Sequence, residues 1–398
     1  MIGGVRQCPS SPRAVPRSNG QRSLVLPAPR FVGLDLGTSG IRAVEARSKG
    51  GRYEIKRAAE IDLPDGCLLN GAILDADAVV KALRSLWRKG RFSTRKVAFA
   101  VTDTSVITRQ LELPWMPADD FRTALKYQVG DALPVDLATV EVDFEPIAEY
   151  QVTDQHGQVN DMLQFLLVAG NKEVLAGVAD VLLRARLEPI VADTSAFALI
   201  RAACGGVLSQ RHPLEAVVDI GADALTVVIH QGGLPRFIRA MPNQGGDIVI
   251  MTVANAMDLT VDEATDLVWS TGLNGPPPVV TSVPESSVFG LLASTQEVTV
   301  DPRTKRAMAL INPWATTLVG AIRDSLDYFA SSGQRDPIAR LSLSGRTARL
   351  PGLAERVTTE LRVPVDLLDP FARVGVAHRL RDLDTRALSV ATGLAMGA

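Results

Sequence analysis

The sequence predicts an α/β protein of two to three domains whose second half repeats the opening of the first, and three observations carry that reading. The first is a repeat: Val32-Gly33-Leu34-Asp35-Leu36-Gly37-Thr38-Ser39-Gly40-Ile41-Arg42-Ala43-Val44 has a partial copy in Val217-Val218-Asp219-Ile220-Gly221-Ala222-Asp223-Ala224-Leu225-Thr226-Val227-Val228. Each copy delivers an Asp and then a Gly from an apolar strand into a tight turn before a second apolar strand, which is a hairpin signal. The second observation is order, because each copy opens a stretch in which strand patterns give way to helical ones. The third is size: 398 residues exceed one small core and suit two to three domains.

From the start of the chain, residues 1–30 stand apart, with five Arg, five Pro and no acidic residue. Such a composition buries too little surface to fold and reads as a disordered extension or an overlong start, or as an electrostatic touch on anionic lipids. The first lobe begins at Phe31 and its first part runs to 102. A hairpin over 31–47 and 52–62 leads through Pro64-Asp65-Gly66 to a helix from about Asp75. On that helix Val79, Leu83 and Leu86 recur at helical spacing while Lys81, Arg84, Arg88 and Lys89 lie mostly on other faces. Lys96–Val101 reads as a short buried strand.

The block 103–187 reads as an inserted small subdomain. Ser105–Leu113 alternates as a strand that Pro114 ends, and Asp119-Asp120 start a helix that Pro134 closes. Val140–Ile147 and Met162–Ala169 are strand patterns joined by a polar, exposed loop over Glu149–Asp161. Lys172–Leu187 is an amphipathic helix on Leu175, Val178 and Leu182. Residues 188–214 return to the first lobe as a helix and connection. The second lobe is expected over 215–398: a hairpin at 215–240, Gly245-Gly246 leading into a helix from Asp247 to about Met257, and an irregular loop over 270–305. A long helix near Asn312-Pro313, a strand over Ile338–Ser344 and a helix at about 351–361 complete it.

Composition narrows the chemistry. A net charge of −2 provides no basic field for nucleic acid. Cys8, Cys67 and Cys204 are odd in number and lack metal-ligand spacing, which suits a reducing cytosol. The four His are scattered singly, and no run reaches the 18 or so apolar residues of a membrane span. What remains is the hairpin pair. A turn with successive backbone N–H groups on one side is an anion-binding nest. Two facing each other would grip a polyphosphate, with Asp35 and Asp219 holding Mg²⁺ through waters.

The order of segments from Phe31 to Ala398 resembles the PilM family, actin-like cytoplasmic components of type IV pilus assembly. The resemblance rests on the 33–45 phrase, Leu113-Pro114-Trp115-Met116-Pro117, Ala132-Leu133-Pro134, Asp143-Phe144, Asp219-Ile220-Gly221-Ala222, Ser325-Leu326-Asp327-Tyr328-Phe329, Leu350-Pro351-Gly352-Leu353 and Asp369-Pro370-Phe371. It implies an actin-like (ASKHA) fold of two lobes with duplicated five-stranded sheets and a small inserted α+β subdomain. It also implies a scaffold at the inner face of the cytoplasmic membrane that binds the cytoplasmic N-terminal peptide of PilN, and through it PilO, with self-association as a further expectation. The PilN groove would lie between the first lobe and the insert.

Carried over by position, the resemblance implies a first phosphate loop of Asp35, Gly37, Thr38, Ser39, Gly40 and Arg42, where Arg42 stands for the family's usual Lys and presents a planar fork instead of a point charge. The second loop is Asp219, Gly221 and Asp223, and Gly245-Gly246 either approach phosphates at a helix N-terminus or merely permit a tight turn. On the adenosine side the family's Ser-Gly-Gly-Gly turn is Ser344-Gly345-Arg346-Thr347 here, and its Ala-Glu-x-x-Lys helix motif is Ala264-Thr265-Asp266-Leu267-Val268. ATP and Mg²⁺ are the implied cofactors, in a degenerate cleft with weak or absent hydrolysis. Asp193 is the one candidate for positioning an attacking water, with a helix N-cap as its ordinary alternative. Two other readings use the same fold: an FtsA-like cell-division filament protein, which would favour a C-terminal amphipathic membrane helix, and a sugar-kinase-like phosphotransferase, which needs a general base that the sequence does not supply.

Overall fold

A computed structural model of the chain describes residues 30–49, 52–117, 120, 124, 135–154, 157–206, 212–275, 301–331, 336–380 and 385–397. The expected N-terminal extension, most of the helix after Asp119 and most of the 270–305 loop lie outside these residues.

The first sheet grows from the first hairpin. Strands β1 (Val32–Gly37), β2 (Gly40–Lys49) and β3 (Arg52–Asp62) form an antiparallel meander, and after the short pair β4 (Leu68–Leu69) and β5 (Ala72–Ile73) the chain enters helix α1 (Ala76–Gly90). Asp75 caps α1 by accepting from the Ala78 amide at 2.9 Å, and Val79, Leu83 and Leu86 turn inward. Strand β6 (Lys96–Val101) then pairs parallel with β1.

The insert follows as a three-stranded antiparallel sheet of β7 (Val106–Pro114), β8 (Val140–Thr153) and β9 (Val159–Asn171), in the order β7-β9-β8. The polar Glu149–Asp161 stretch is not a loop for most of its length. Glu149 pairs with Leu163, Gln151 with Asp161 and Thr153 with Val159, so the two strands run on to a short turn. Backbone pairing extends where both side-chain faces meet water, and there the hydrophobic alternation that marks a strand fades. Helix α2 (Lys172–Arg184) was expected in the insert, yet Val178, Val181 and Leu182 are buried in the core that holds Val32, Leu34 and Leu83. By its packing α2 is part of the first lobe.

Strand β10 (Glu188–Thr194) pairs parallel with β6 and leads into helix α3 (Ser195–Cys204). The second lobe repeats the plan with β11 (Leu214–Ile220), β12 (Leu225–Gln231) and β13 (Leu234–Met241), then α4 (Asp247–Met257) and α5 (Val261–Thr271). Helix α6 (Pro302–Ser331) starts about ten residues before the expected position and carries Pro313 inside it. Asp301 accepts from the Arg303 and Thr304 amides and Pro302 takes the first turn, where its missing N–H costs nothing. Strand β14 (Ile338–Ser344), helix α7 (Leu353–Leu361) and strand β15 (Val365–Leu367) complete the sheet β13-β12-β11-β14-β15.

The segment after β15 leaves the second lobe. Strand β16 (Gly375–Val376) adds to β3, giving the first sheet the order β10-β6-β1-β2-β3-β16. Helix α8 (Ser389–Ala395) is wholly buried, with Ala391 and Ala395 in one cluster with Val44, Ile55 and Phe371. The second lobe expected over 215–398 therefore ends near Leu367, and the residues after it complete the first. Cys67 and Cys204 are free thiols, and among the described residues no helix is long and apolar enough to cross a membrane.

Candidate functional site

The two hairpins bring their turns face to face. In the first, Gly37 and Gly40 are register partners around Thr38-Ser39. A Cβ on Gly40 would sit 2.8 Å from the Ile61 carbonyl, so the turn closes only without one. In the second, the Gly221 amide donates to the Ala224 carbonyl at 2.9 Å across Ala222-Asp223. Between the turns lies a cavity of about 120 Å³. Asp35, Gly37, Thr38, Ser39 and Arg42 line it from the first lobe, and Asp219, Gly221, Asp223, Ser344 and Gly345 from the second. Gly40 is absent from the lining. Thr102, Ser195 and Ser389 also line the cavity; they end β6 or begin α3 and α8, and only tertiary packing identifies them.

A chain of charges crosses this cleft. Arg42 is buried, with Nη1 3.6 Å from Asp35 Oδ2 and Nε 3.5 Å from Glu60 Oε2, and that Nε has no hydrogen-bond partner. From the other lobe, Arg346 Nη2 reaches Asp62 Oδ1 at 3.2 Å and Glu60 Oε1 at 3.9 Å. Arg346, at the position where the resemblance implies a second glycine, thus straps one lobe to the other.

Burial sets the acidity of the carboxylates. It holds Asp219 up at about 6; the Ser344 hydroxyl beside it and Arg42 pull the other way, and Asp35 adds repulsion. Asp35 is raised by burial against the pull of Arg42. On β12 of the second sheet, burial pushes His230 down to about 4, opposed by Glu215 and assisted by Arg373, Arg340 and His212.

These shifts act on stability in opposite directions. Asp219 contributes stability below its unfolded value and loses it as pH rises through about 6, whereas His230 contributes above its unfolded value and loses it as pH falls through about 4. Each spans roughly 3 kcal/mol. Urea unfolding across this range should therefore show Asp219→Asn gaining on the wild type as pH rises from about 4 to 6.5, and His230→Leu losing ground over the same interval. Parallel profiles for all three proteins would refute the assignment.

Gly245 and Gly246 do not face the cavity. Their amides donate to the Asp223 and Gly221 carbonyls at 3.0 Å each, and the Asp247 amide to Ala222 at 2.8 Å, so the start of α4 is spent on the second turn. A Cβ on Gly245 would lie 2.1 Å from the Ala222 carbonyl oxygen. Of the two readings, the geometry matches the tight turn. Asp193 is ion-paired with Arg201, whose Nε donates to the Gly393 carbonyl at 2.8 Å, and Asp193 is absent from the cavity wall. Nor is it the N-cap, because Thr194 accepts from the Phe197 amide in that role. Gly345 is required where it stands: its φ is +89° and a Cβ would lie 2.4 Å from the Ile220 carbonyl oxygen.

The two sides of the cleft fit a nucleotide unequally. Two partly buried carboxylates, Asp35 and Asp219, and the guanidinium of Arg42 on the cavity wall suit a hydrated divalent cation and a phosphate. Among the described residues no group of three or more His, Cys, Asp or Glu could hold a metal, so the pair would need water or phosphate to complete a shell. The base side does not fit. The cavity is well below the roughly 300–1,000 Å³ of small-molecule pockets, and Arg346 stands across it.

A family model described as type IV pilus assembly protein PilM matches residues 33–273 and 301–398. Among solved structures, the PilM-PilN type IV pilus biogenesis complex aligns with a TM-score of 0.74 and 23% identity over 92% of this chain and 97% of that one. The ethanolamine utilization protein EutJ from Carboxydothermus hydrogenoformans aligns with a TM-score of 0.49 at 16% identity, over 94% and 91% of the two chains. MreB5 of Spiroplasma citri bound to AMPPNP aligns with a TM-score of 0.47 at 12%, over 92% and 95%. The architecture is the actin-like one of two lobes with duplicated sheets. With the family model covering both lobes and the insert, the chain belongs to the PilM family of type IV pilus assembly proteins.

Proposed function

We propose that this chain is a scaffold of the type IV pilus assembly platform, held at the cytoplasmic face of the inner membrane by the N-terminal peptide of PilN and linked through PilN to PilO. The match of the family model across both lobes and the insert carries this reading. The insert supports it physically. Strand β7 is an edge of its sheet, bonded to β9 alone among the described strands, and leads into the half-exposed Trp115. An open edge beside an exposed aromatic offers an extended peptide backbone pairing together with a side-chain anchor. Calorimetry of the full chain with the cytoplasmic peptide of its cognate PilN should give a dissociation constant in the micromolar range or tighter. No heat at that concentration, with both partners folded, would sink the proposal.

Nucleotide has a secondary place in this reading. ATP with Mg²⁺ enters only once the Arg346 strap releases, with Asp35 and Asp219 facing the cation and the first turn facing the phosphates. Self-association is read from light scattering of the purified chain with and without the PilN peptide.

A further inference from the structure

At the base of the first lobe, at the end of the sheet opposite the cleft, a groove of about 1,000 Å³ runs between α1 and the turn that follows α2. One wall carries Lys81, Arg84 and Arg88, and the other carries Arg95, Arg184 and Arg186. All six cations are exposed, and Asp77 is the one carboxylate among the lining residues. In a chain of net charge −2, this is a strong local concentration of positive charge.

The groove is built, not a chance cluster of surface side chains. Trp87 and Phe92 contact each other at 5.0 Å on its lining, and the Trp87 indole N–H is spent on the Thr94 carbonyl at 3.1 Å. Arg84 donates to the Arg184 carbonyl at 2.7 Å, which ties the two walls together, and Arg95 donates to the Arg186 carbonyl at 3.3 Å within the second wall. Arg186 itself holds a left-handed backbone with φ of 63°. Glycine takes that conformation more readily than a residue with a Cβ.

We propose that this groove docks an acidic, amphipathic peptide segment of a protein partner. Apolar side chains of the segment would meet the half-buried Trp87 and Phe92 on the lining while its carboxylates meet the two basic walls. A membrane surface is too flat for a concave site. A small anion would call for cations that converge on one point, whereas these line both walls of a long groove. Docking here leaves the cleft and the inserted sheet open, so the segment and a PilN peptide can be held at once.

Fluorescence anisotropy of the full chain tests the proposal, with a fluorescein-labelled peptide of Glu-Glu-Leu repeats as the probe. The wild type should bind it, more weakly as salt rises. The exposed-residue variant Lys81→Glu/Arg88→Glu/Arg186→Glu should lose at least about tenfold in affinity, with Lys81→Gln/Arg88→Gln/Arg186→Gln serving in its place if the reversal fails to fold. A probe with Ser for Leu should bind at least about fivefold more weakly, because it cannot use the apolar lining. Equal binding by wild type and variant would overturn the proposal. So would equal binding of the Ser probe, or displacement of the probe by phosphatidylglycerol vesicles.

Discussion

Arg346→Gly should bind ATP with Mg²⁺ at least about tenfold more tightly than the wild type, a gain of about 1.4 kcal/mol. The ion pairs are the smaller part of that gain. Asp62 is 79% exposed, and surface pairs of this kind are worth under about 1 kcal/mol. The larger part comes from removing a long side chain from the mouth of a cavity of about 120 Å³ and letting a ligand approach the backbone beside Gly345. Calorimetry on the two proteins reads the difference directly. Adding Asp219→Ala to the glycine variant should abolish the gain, because that carboxylate faces the cation in the proposed arrangement. If Arg346→Gly binds no better than the wild type, Arg346 is not what closes the cleft.

Gly393→Ala should destabilise the protein by about 3 kcal/mol or more, at the upper end of overpacking effects. The added Cβ would lie 1.8 Å from the Ala198 carbonyl oxygen and 2.4 Å from its carbon, both backbone atoms of α3. No rotamer change relieves such a clash, so α8 must move away from α3. It is held from the other side as well, because a Cβ on Gly33 of β1 would meet the Ala391 carbonyl oxygen at 2.2 Å. Gly177 is the control. It sits inside α2 with nothing within 4 Å of its built Cβ, and alanine there should stabilise by about 0.5–1 kcal/mol. Denaturant midpoints of the two variants should move in opposite directions, and a Gly393→Ala protein as stable as the wild type would show that the α8 contact is soft.

Local pattern made much of this legible in the sequence. The two hairpins, the start of α1 near Asp75 and the start of α4 at Asp247 each follow from turn chemistry or apolar spacing within a dozen residues. What stayed hidden depended on partners far along the chain. Glu149–Asp161 looks like a loop because its strands bury little. Pro313 looks like a helix start because proline favours the first turn, but here the true start is fixed by Asp301. The Asp193 partner, Arg201, sits on the helix that follows its strand, and nothing local says that the two side chains meet. In the cleft, both aspartates and both turns were readable from the repeat. The strap was not, since Arg346 and Glu60 are joined only by the closing of two lobes. The basic groove was half visible: Lys81, Arg84 and Arg88 read as a solvated helix face until Arg184 and Arg186 are packed opposite.

The return of the chain to its first lobe bears on how the protein reaches this state. Strand β1 and helix α8 are nearly the full described chain apart, yet α8 packs directly against β1 through Gly33. A contact with so long a closing loop forms slowly, because the loop entropy is lost before the contact contributes. During synthesis the first lobe leaves the ribosome with the β1 and β2 face that α8 covers exposed, and it stays so until the entire second lobe has been made. Folding of the first lobe is therefore timed by the helix that completes its architecture, and until then its exposed strands are open to pairing elsewhere.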